Sequence, residues 1–269
     1  MSRRPPGGRL DVCRPGARKP RAPVFHDWMQ GQAVAPGERL RHHRAMNRRF
    51  ALIAIPLLFA LPAHAAAPRA KHRPRAAAPV PPPPLGDSVR VAMVTELGTI
   101  ELELDHKHAP VTVENFMRYV DLKRFDGIAF YRSMRLAWGQ QPNGLIQAGL
   151  QGNPLKLLKP IAHEPTSATG ILHKAGTISM ARHAPGTATA DFSILLSDLP
   201  SLDADPKSPD PEAQAGYAAF GHVIAGMDVA RRIWDSPLSP TAGEGAMKGQ
   251  MLGRPIKVLT VRRVAVPTH

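Results

Sequence analysis

Residues 89–120 read VRVAMVTELGTIELELDHKHAPVTVENFMRYV, and two different periodicities meet within them. Residues 89–95 and 99–105 alternate in polarity and are rich in β-branched side chains, with Glu96-Leu97-Gly98 at their junction. Alternation of period two, interrupted by a short glycine-containing turn, marks a β-hairpin. Pro110 then opens a stretch with apolar residues at Val113, Phe116, Met117 and Val120. That i, i+3, i+4, i+7 stripe predicts an amphipathic helix, and proline suits its first turn because no backbone donor is needed there.

The pattern continues toward the C-terminus. Short strands are expected at 128–134, 145–147, 177–180, 192–196 and 218–224, a second helix at 227–234, and a long closing strand at 256–266. Many short strands between Gly/Pro-rich loops, with only two isolated helices, predict a mainly β fold: a closed antiparallel barrel capped by helices.

Charge separates this region from what precedes it. The 269-residue chain carries a net charge of +14. Residues 1–45 hold 10 Lys and Arg against 3 Asp and Glu, residues 46–88 hold 6 against 1, and residues 89–269 hold 19 against 17. The basic character that would suggest a nucleic-acid partner therefore lies outside the folded region.

The N-terminal third reads as an address. Residues 47–65, NRRFALIAIPLLFALPAHA, contain Arg48 and Arg49, then an apolar run from Phe50 to Leu61 broken by Pro56, then Ala63-His64-Ala65. A charged start, a short apolar centre and a small-x-small end form a secretory signal peptide in the right order. Twelve residues are too few for a membrane span, which needs about 20. We expect a signal peptide at 46–65, cut after Ala65, with Met46 as the true start. Residues 1–45 are then a mis-assigned upstream extension without apolar periodicity; a genuine long basic leader is the competing reading. Cys13, the single cysteine, lies in that segment, so the mature chain is expected to have no disulfide and no thiol chemistry. Residues 66–87 are rich in Ala, Pro, Arg and Lys and include Pro81-Pro82-Pro83-Pro84, a composition suited to an extended tether. The folded domain is placed at 88–266.

Several chemistries lack support. There is no nucleophile elbow, no Walker loop and no Cys/His metal spacing. Gly243-Glu244-Gly245 with Gly249 is expected to be a flexible loop rather than a phosphate site. His106 and His108 are expected to be exposed, and His163, His173, His183 and His222 to be loop or strand-edge residues.

Four groups of segments carry a resemblance. They are residues 95–102 (TELGTIEL) with 109–116 (APVTVENF); 130–132 (FYR) with 145–149 (LIQAG); 175–182 (AGTISMAR); and 220–229 (FGHVIAGMDV). In order and spacing they resemble the cyclophilin family of peptidyl-prolyl cis-trans isomerases, particularly its secreted bacterial branch. The resemblance implies a closed eight-stranded antiparallel β-barrel with an α-helix at each end, a proline-binding groove on the outer face, and no cofactor or metal. We also expect a monomer acting on proline-containing polypeptides, placed in the periplasm by the signal peptide and without a membrane span once that signal is removed.

By the same resemblance Arg132 is the catalytic residue. Gln147 contacts substrate backbone and orients the arginine, Leu145 and Leu202 contribute to the proline pocket, and Ala181 and Arg182 lie where residues before proline would sit. Tyr217 occupies a position that is often histidine. The chain also departs from the family. Gly144 and Ser193 replace pocket aromatics, Asp191 replaces a backbone-binding amide, and Ser201 stands where an aromatic is common. The segment 138–143 is an insertion that could return an aromatic ring, Trp138, to the site. Asp191 and Ser193 are therefore expected among the substrate-binding residues of a shallower, more polar pocket. The competing expectation is a peptide-binding or chaperone-like module on the same fold with little turnover.

Overall fold

The structure, a computed structural model, describes residues 82–264. The expectations for residues 1–45, for the signal peptide at 46–65 and for most of the 66–87 tether lie outside the described residues. Among the described residues no helix is long and apolar enough to cross a membrane.

Eight antiparallel strands close into a barrel. They are β1 (Ser88–Thr95), β2 (Gly98–Asp105), β3 (Ala129–Arg135), β4 (Gly144–Gly149), β5 (Thr177–Met180), β6 (Phe192–Leu195), β7 (Ala219–Ala225) and β8 (Met251–Arg263). The order around the barrel is β1-β2-β7-β5-β6-β4-β3-β8, with β1 pairing back to β8. The opening hairpin forms as read: Thr95 pairs with Gly98, and the Thr95 hydroxyl donates to the Gly98 carbonyl while accepting from the Leu97 amide.

Alternation fills the interior. Val91 and Met93 of β1 and Ile100, Leu102 and Leu104 of β2 are fully buried in one cluster. Helix α1 (Pro110–Asp121) sets the predicted stripe Val113, Phe116, Met117 and Val120 into that cluster. The Phe116 ring meets Phe125, Phe192 and Phe220 at centroid distances of 4.9, 5.5 and 5.4 Å. Its N-cap residue, Ala109, has no side chain to cap the helix. Glu164 supplies the acceptor instead, taking the Val111 and Thr112 amides at 3.0 and 2.8 Å. A carboxylate there also complements the positive end of the helix.

Two single-turn helices, α2 (Thr166–Thr169) and α3 (Pro211–Ala215), interrupt the loops, an addition to the two helices expected. Helix α4 (Met227–Asp235) buries Val229, Ala230, Ile233 and Trp234. Since β2 and β7 are antiparallel neighbours, α1, which follows β2, and α4, which follows β7, lie at opposite ends of the barrel. Gly226 permits the turn into α4: its φ is +87°, and a Cβ there would stand 2.3 Å from the Thr99 carbonyl oxygen. The last strand begins at Met251, earlier than the sequence pattern indicates. Gly253-Arg254-Pro255 breaks the alternation, but the strand still pairs with β3 on both sides of the break.

Candidate active site

The site depends on one irregularity. Phe130 faces the barrel interior and pairs with Ala148. Residues two apart on a regular strand share a face, so regular pairing would carry Arg132 inward as well. The register shifts between Phe130 and Arg132, leaving Tyr131 as the extra residue and setting Arg132 opposite Gln147. A β-bulge of this kind re-aims the following side chains. Arg132 and Met134 turn to the outer face, while Ser133 follows the interior register opposite Ile146.

Lateral pairing then draws a row across five strands: Arg132 opposite Gln147, Gln147 opposite Ser193, Ser193 opposite Ser179, and Ser179 opposite Ala219. Beside this row a second buried apolar cluster forms outside the barrel, containing Met134, Leu145, Leu195, Leu199, Leu202 and Tyr217. The structure thus brings Arg132, Gln147, Leu145, Ser193, Leu202 and Tyr217 to one face. Ala181 follows β5 at the edge of this face, 8% exposed, its amide donating to the Asp191 carbonyl.

Arg132 is buried and held from two edges. Nη1 donates to Gln147 Oε1 at 2.9 Å, and Nε and Nη2 donate to Gln250 Oε1 at 2.9 and 2.7 Å. Burial lowers its pKa to about 10, so the guanidinium stays charged at neutral pH. A charge removed from water interacts more strongly with what lies beside it. The Tyr217 phenol is pushed up to about 12 by burial, against an opposing pull from Arg182.

Two of the expected substrate-binding side chains are otherwise engaged. Asp191 turns its carboxylate to the fold: Oδ1 accepts the Leu150 and Gln151 amides at 2.6 and 3.1 Å, and Oδ2 accepts the Tyr131 hydroxyl at 2.9 Å. Desolvation raises its pKa, and those donors oppose the shift. It acts as a loop clamp, and a substrate amide would have to break it. Arg182 is a staple as well. It donates to Glu212 Oε2 at 2.8 Å and to the Gly216 carbonyl at 2.6 Å, and lies 4.6 Å over the Tyr217 ring.

The insertion does not return an aromatic to the pocket either. Trp138 is 62% exposed and lines an open hollow of about 450 Å³ with Pro142, Asn143, Asp198 and Arg231, apart from the apolar cluster. At Gly144 the backbone itself excludes a side chain: φ is +147°, and a Cβ would stand 1.9 Å from the Met134 carbonyl oxygen. The Ser193 hydroxyl has no hydrogen-bond partner among the described residues.

Two participants were not legible as such in the sequence. His173, expected at a loop or strand edge, is buried in a chain in which Nδ1 meets Asp203 Oδ1 at 2.7 Å and Nε2 meets the Ser179 hydroxyl at 2.8 Å. The carboxylate accepts, so Nδ1 donates to it, and the Ser179 hydroxyl pairs with Nε2. This chain anchors the loop bearing Leu202 to β5. Gln250 comes from the Gly-rich loop before β8, and no local pattern marks it. Among the described residues no group of three or more His, Cys, Asp or Glu is arranged to hold a metal.

Comparison with known proteins agrees with this fold. Residues 90–260 match the family described as cyclophilin type peptidyl-prolyl cis-trans isomerase/CLD. A peptidyl-prolyl cis-trans isomerase of Acinetobacter baylyi is 35% identical over 182 residues, covering 66% of this chain and 87% of its own. Peptidyl-prolyl cis-trans isomerase A of Dickeya dadantii is 35% identical over 150 residues, covering 54% and 71%. The crystal structure of a Cryptosporidium parvum cyclophilin type isomerase shares the fold with a TM-score of 0.52 at 18% identity, covering 67% of this chain and 99% of that one. The match across most of the barrel, together with these relatives, shows that the chain belongs to the cyclophilin-type peptidyl-prolyl cis-trans isomerase family.

Proposed function

We propose that the outer-face row and its apolar cluster form the site at which this isomerase rotates X-Pro peptide bonds of polypeptides in the periplasm. Amide resonance sets a rotation barrier of about 18–20 kcal/mol, and uncatalysed X-Pro exchange takes tens to hundreds of seconds. No nucleophile or general base is needed. The proline ring has to be held while the preceding carbonyl turns, and a donor must approach the prolyl nitrogen as its lone pair leaves conjugation. A guanidinium suits that task because it is permanently charged with donors in a fixed plane.

The observation that carries the reading is Arg132: charged, buried, fixed by two neutral amides, and adjacent to the apolar cluster of Met134, Leu145, Leu202 and Tyr217. A related cyclophilin type isomerase has been crystallised in the presence of the dipeptide Ala-Pro, which supports a proline-containing ligand here. Periplasmic action rests on the signal peptide read at 46–65.

If Arg132 acts chiefly as the bond twists, its contribution belongs to the transition state rather than to binding. Arg132→Ala is then expected to slow isomerisation of an Ala-Pro peptide by on the order of 10²-fold, with a much smaller change in affinity. Arg132→Lys should restore little of the rate, since an ammonium lacks the planar fork. A second reading, a proline-peptide-binding module with little turnover, is favoured by the missing aromatics at Gly144 and Ser193. The same assay decides: negligible turnover in the wild type, with Arg132→Ala altering only peptide affinity, would establish that module instead.

A further inference from the structure

We propose that Gln250 is a positioning residue for Arg132, fixing the guanidinium plane without neutralising its charge; this rests on the reading of Arg132 as the donor to the prolyl nitrogen. Gln250 lies 118 positions from Arg132, in the segment leading into β8, and is 7% exposed. Its Oε1 accepts Nε–H and Nη2–H together, at 2.9 and 2.7 Å, so one oxygen grips a whole edge of the guanidinium. Gln147 takes Nη1 at 2.9 Å. With both contacts made, the guanidinium can neither tilt nor rotate freely.

The orientation of the Gln250 amide follows from chemistry. Its Nε2 donates to the Ala246 carbonyl at 2.8 Å, an atom that can only accept, while Arg132 can only donate. Oxygen toward Arg132 is therefore the one consistent arrangement. The main chain is fixed as well: the Gln250 amide donates to the Met247 carbonyl at 3.0 Å, and the Gln250 carbonyl accepts the Ser133 amide at 2.9 Å. Gln250 thus holds β3 by its backbone and Arg132 by its side chain, directly after the bulge that turns Arg132 outward.

A carboxylate in this place would make an equally short contact and would quench the field that the twisting bond needs. A neutral acceptor keeps the orientation and leaves the full positive charge. The electrostatic role of Arg132 therefore depends on an amide, rather than an acid, at position 250.

The test compares wild type, Gln250→Met, Gln250→Glu, Arg132→Ala and the double variant Gln250→Met/Arg132→Ala by isomerisation of an Ala-Pro peptide. Gln250→Met keeps the volume and removes the acceptor; kcat should fall on the order of 10-fold, short of the 10²-fold that a 1 Å misplacement can cost, with KM within about two-fold. Gln250→Glu keeps the acceptor toward Arg132 but loses the donor to the Ala246 carbonyl; kcat should fall while the Arg132 Nε–H signal stays protected from solvent exchange, which a purely structural glutamine would not show. In the Arg132→Ala background Gln250→Met should cause no further loss. The Arg132 Nε–H signal in NMR, protected from solvent exchange in the wild type, should lose protection in Gln250→Met. Gln250→Asn, one methylene short of the guanidinium, replaces the methionine variant if that one does not fold. Wild-type kcat in Gln250→Met beside an impaired Arg132→Ala overturns the proposal alone, as does an undiminished Gln250→Met effect in the double variant. A wild type without turnover overturns the isomerase reading itself.

Discussion

Replacing Asp191 by alanine distinguishes a carboxylate that holds the fold from one that binds substrate. In the wild type it accepts from the Leu150 and Gln151 amides and the Tyr131 hydroxyl. Gln151 is exposed, so water can replace its lost partner. Leu150 and Tyr131 are 8% and 4% exposed, and their donors would be orphaned. Two orphaned donors at about 1–3 kcal/mol each are partly offset by release of a carboxylate whose burial is itself unfavourable. A net loss of about 2–4 kcal/mol follows, equivalent to a fall in Tm on the order of 5–15 °C for a domain of this size.

The pH dependence has a definite sign. Desolvation raises the folded-state pKa of Asp191 above its unfolded value, so the folded chain binds this proton more readily. The wild-type advantage over Asp191→Ala is therefore greatest below about pH 4 and narrows as pH rises through the raised folded value. Urea denaturation of both proteins across pH 3–7 measures the margin, and Ala-Pro peptide kinetics on the folded variant measure the site; KM should stay within about two-fold. An unchanged urea midpoint with a large rise in KM would refute the clamp and return Asp191 to the substrate.

Two further outcomes can be checked directly. Gly144→Ala puts a Cβ where the Met134 carbonyl stands and keeps an unfavourable φ, and should cost about 2–5 kcal/mol in urea denaturation; an unchanged midpoint would mean that β3 and β4 part freely there. For export, N-terminal sequencing of periplasmic material should find a chain beginning at Ala66, and residues preceding Met46 in that material would contradict the signal assignment.

The strands, both principal helices and the interior were written locally. Period-two runs such as residues 99–105 and the Val113/Phe116/Met117/Val120 stripe state which face meets the core, because a strand or helix can bury only the face its repeat makes apolar. The resemblance in residues 130–132 and 145–149 likewise singled out Arg132, Gln147 and Leu145. Alternation from the core residue Phe130, however, would have put Arg132 inside the barrel. Only the bulge at Tyr131, enforced by pairing with β4 and β8, turns it out. The clamp at Asp191, the His173 chain and the Gln250 grip on Arg132 were illegible for one common reason. Each joins segments between 6 and 118 positions apart, and their side chains acquire partners only when barrel closure brings those segments together.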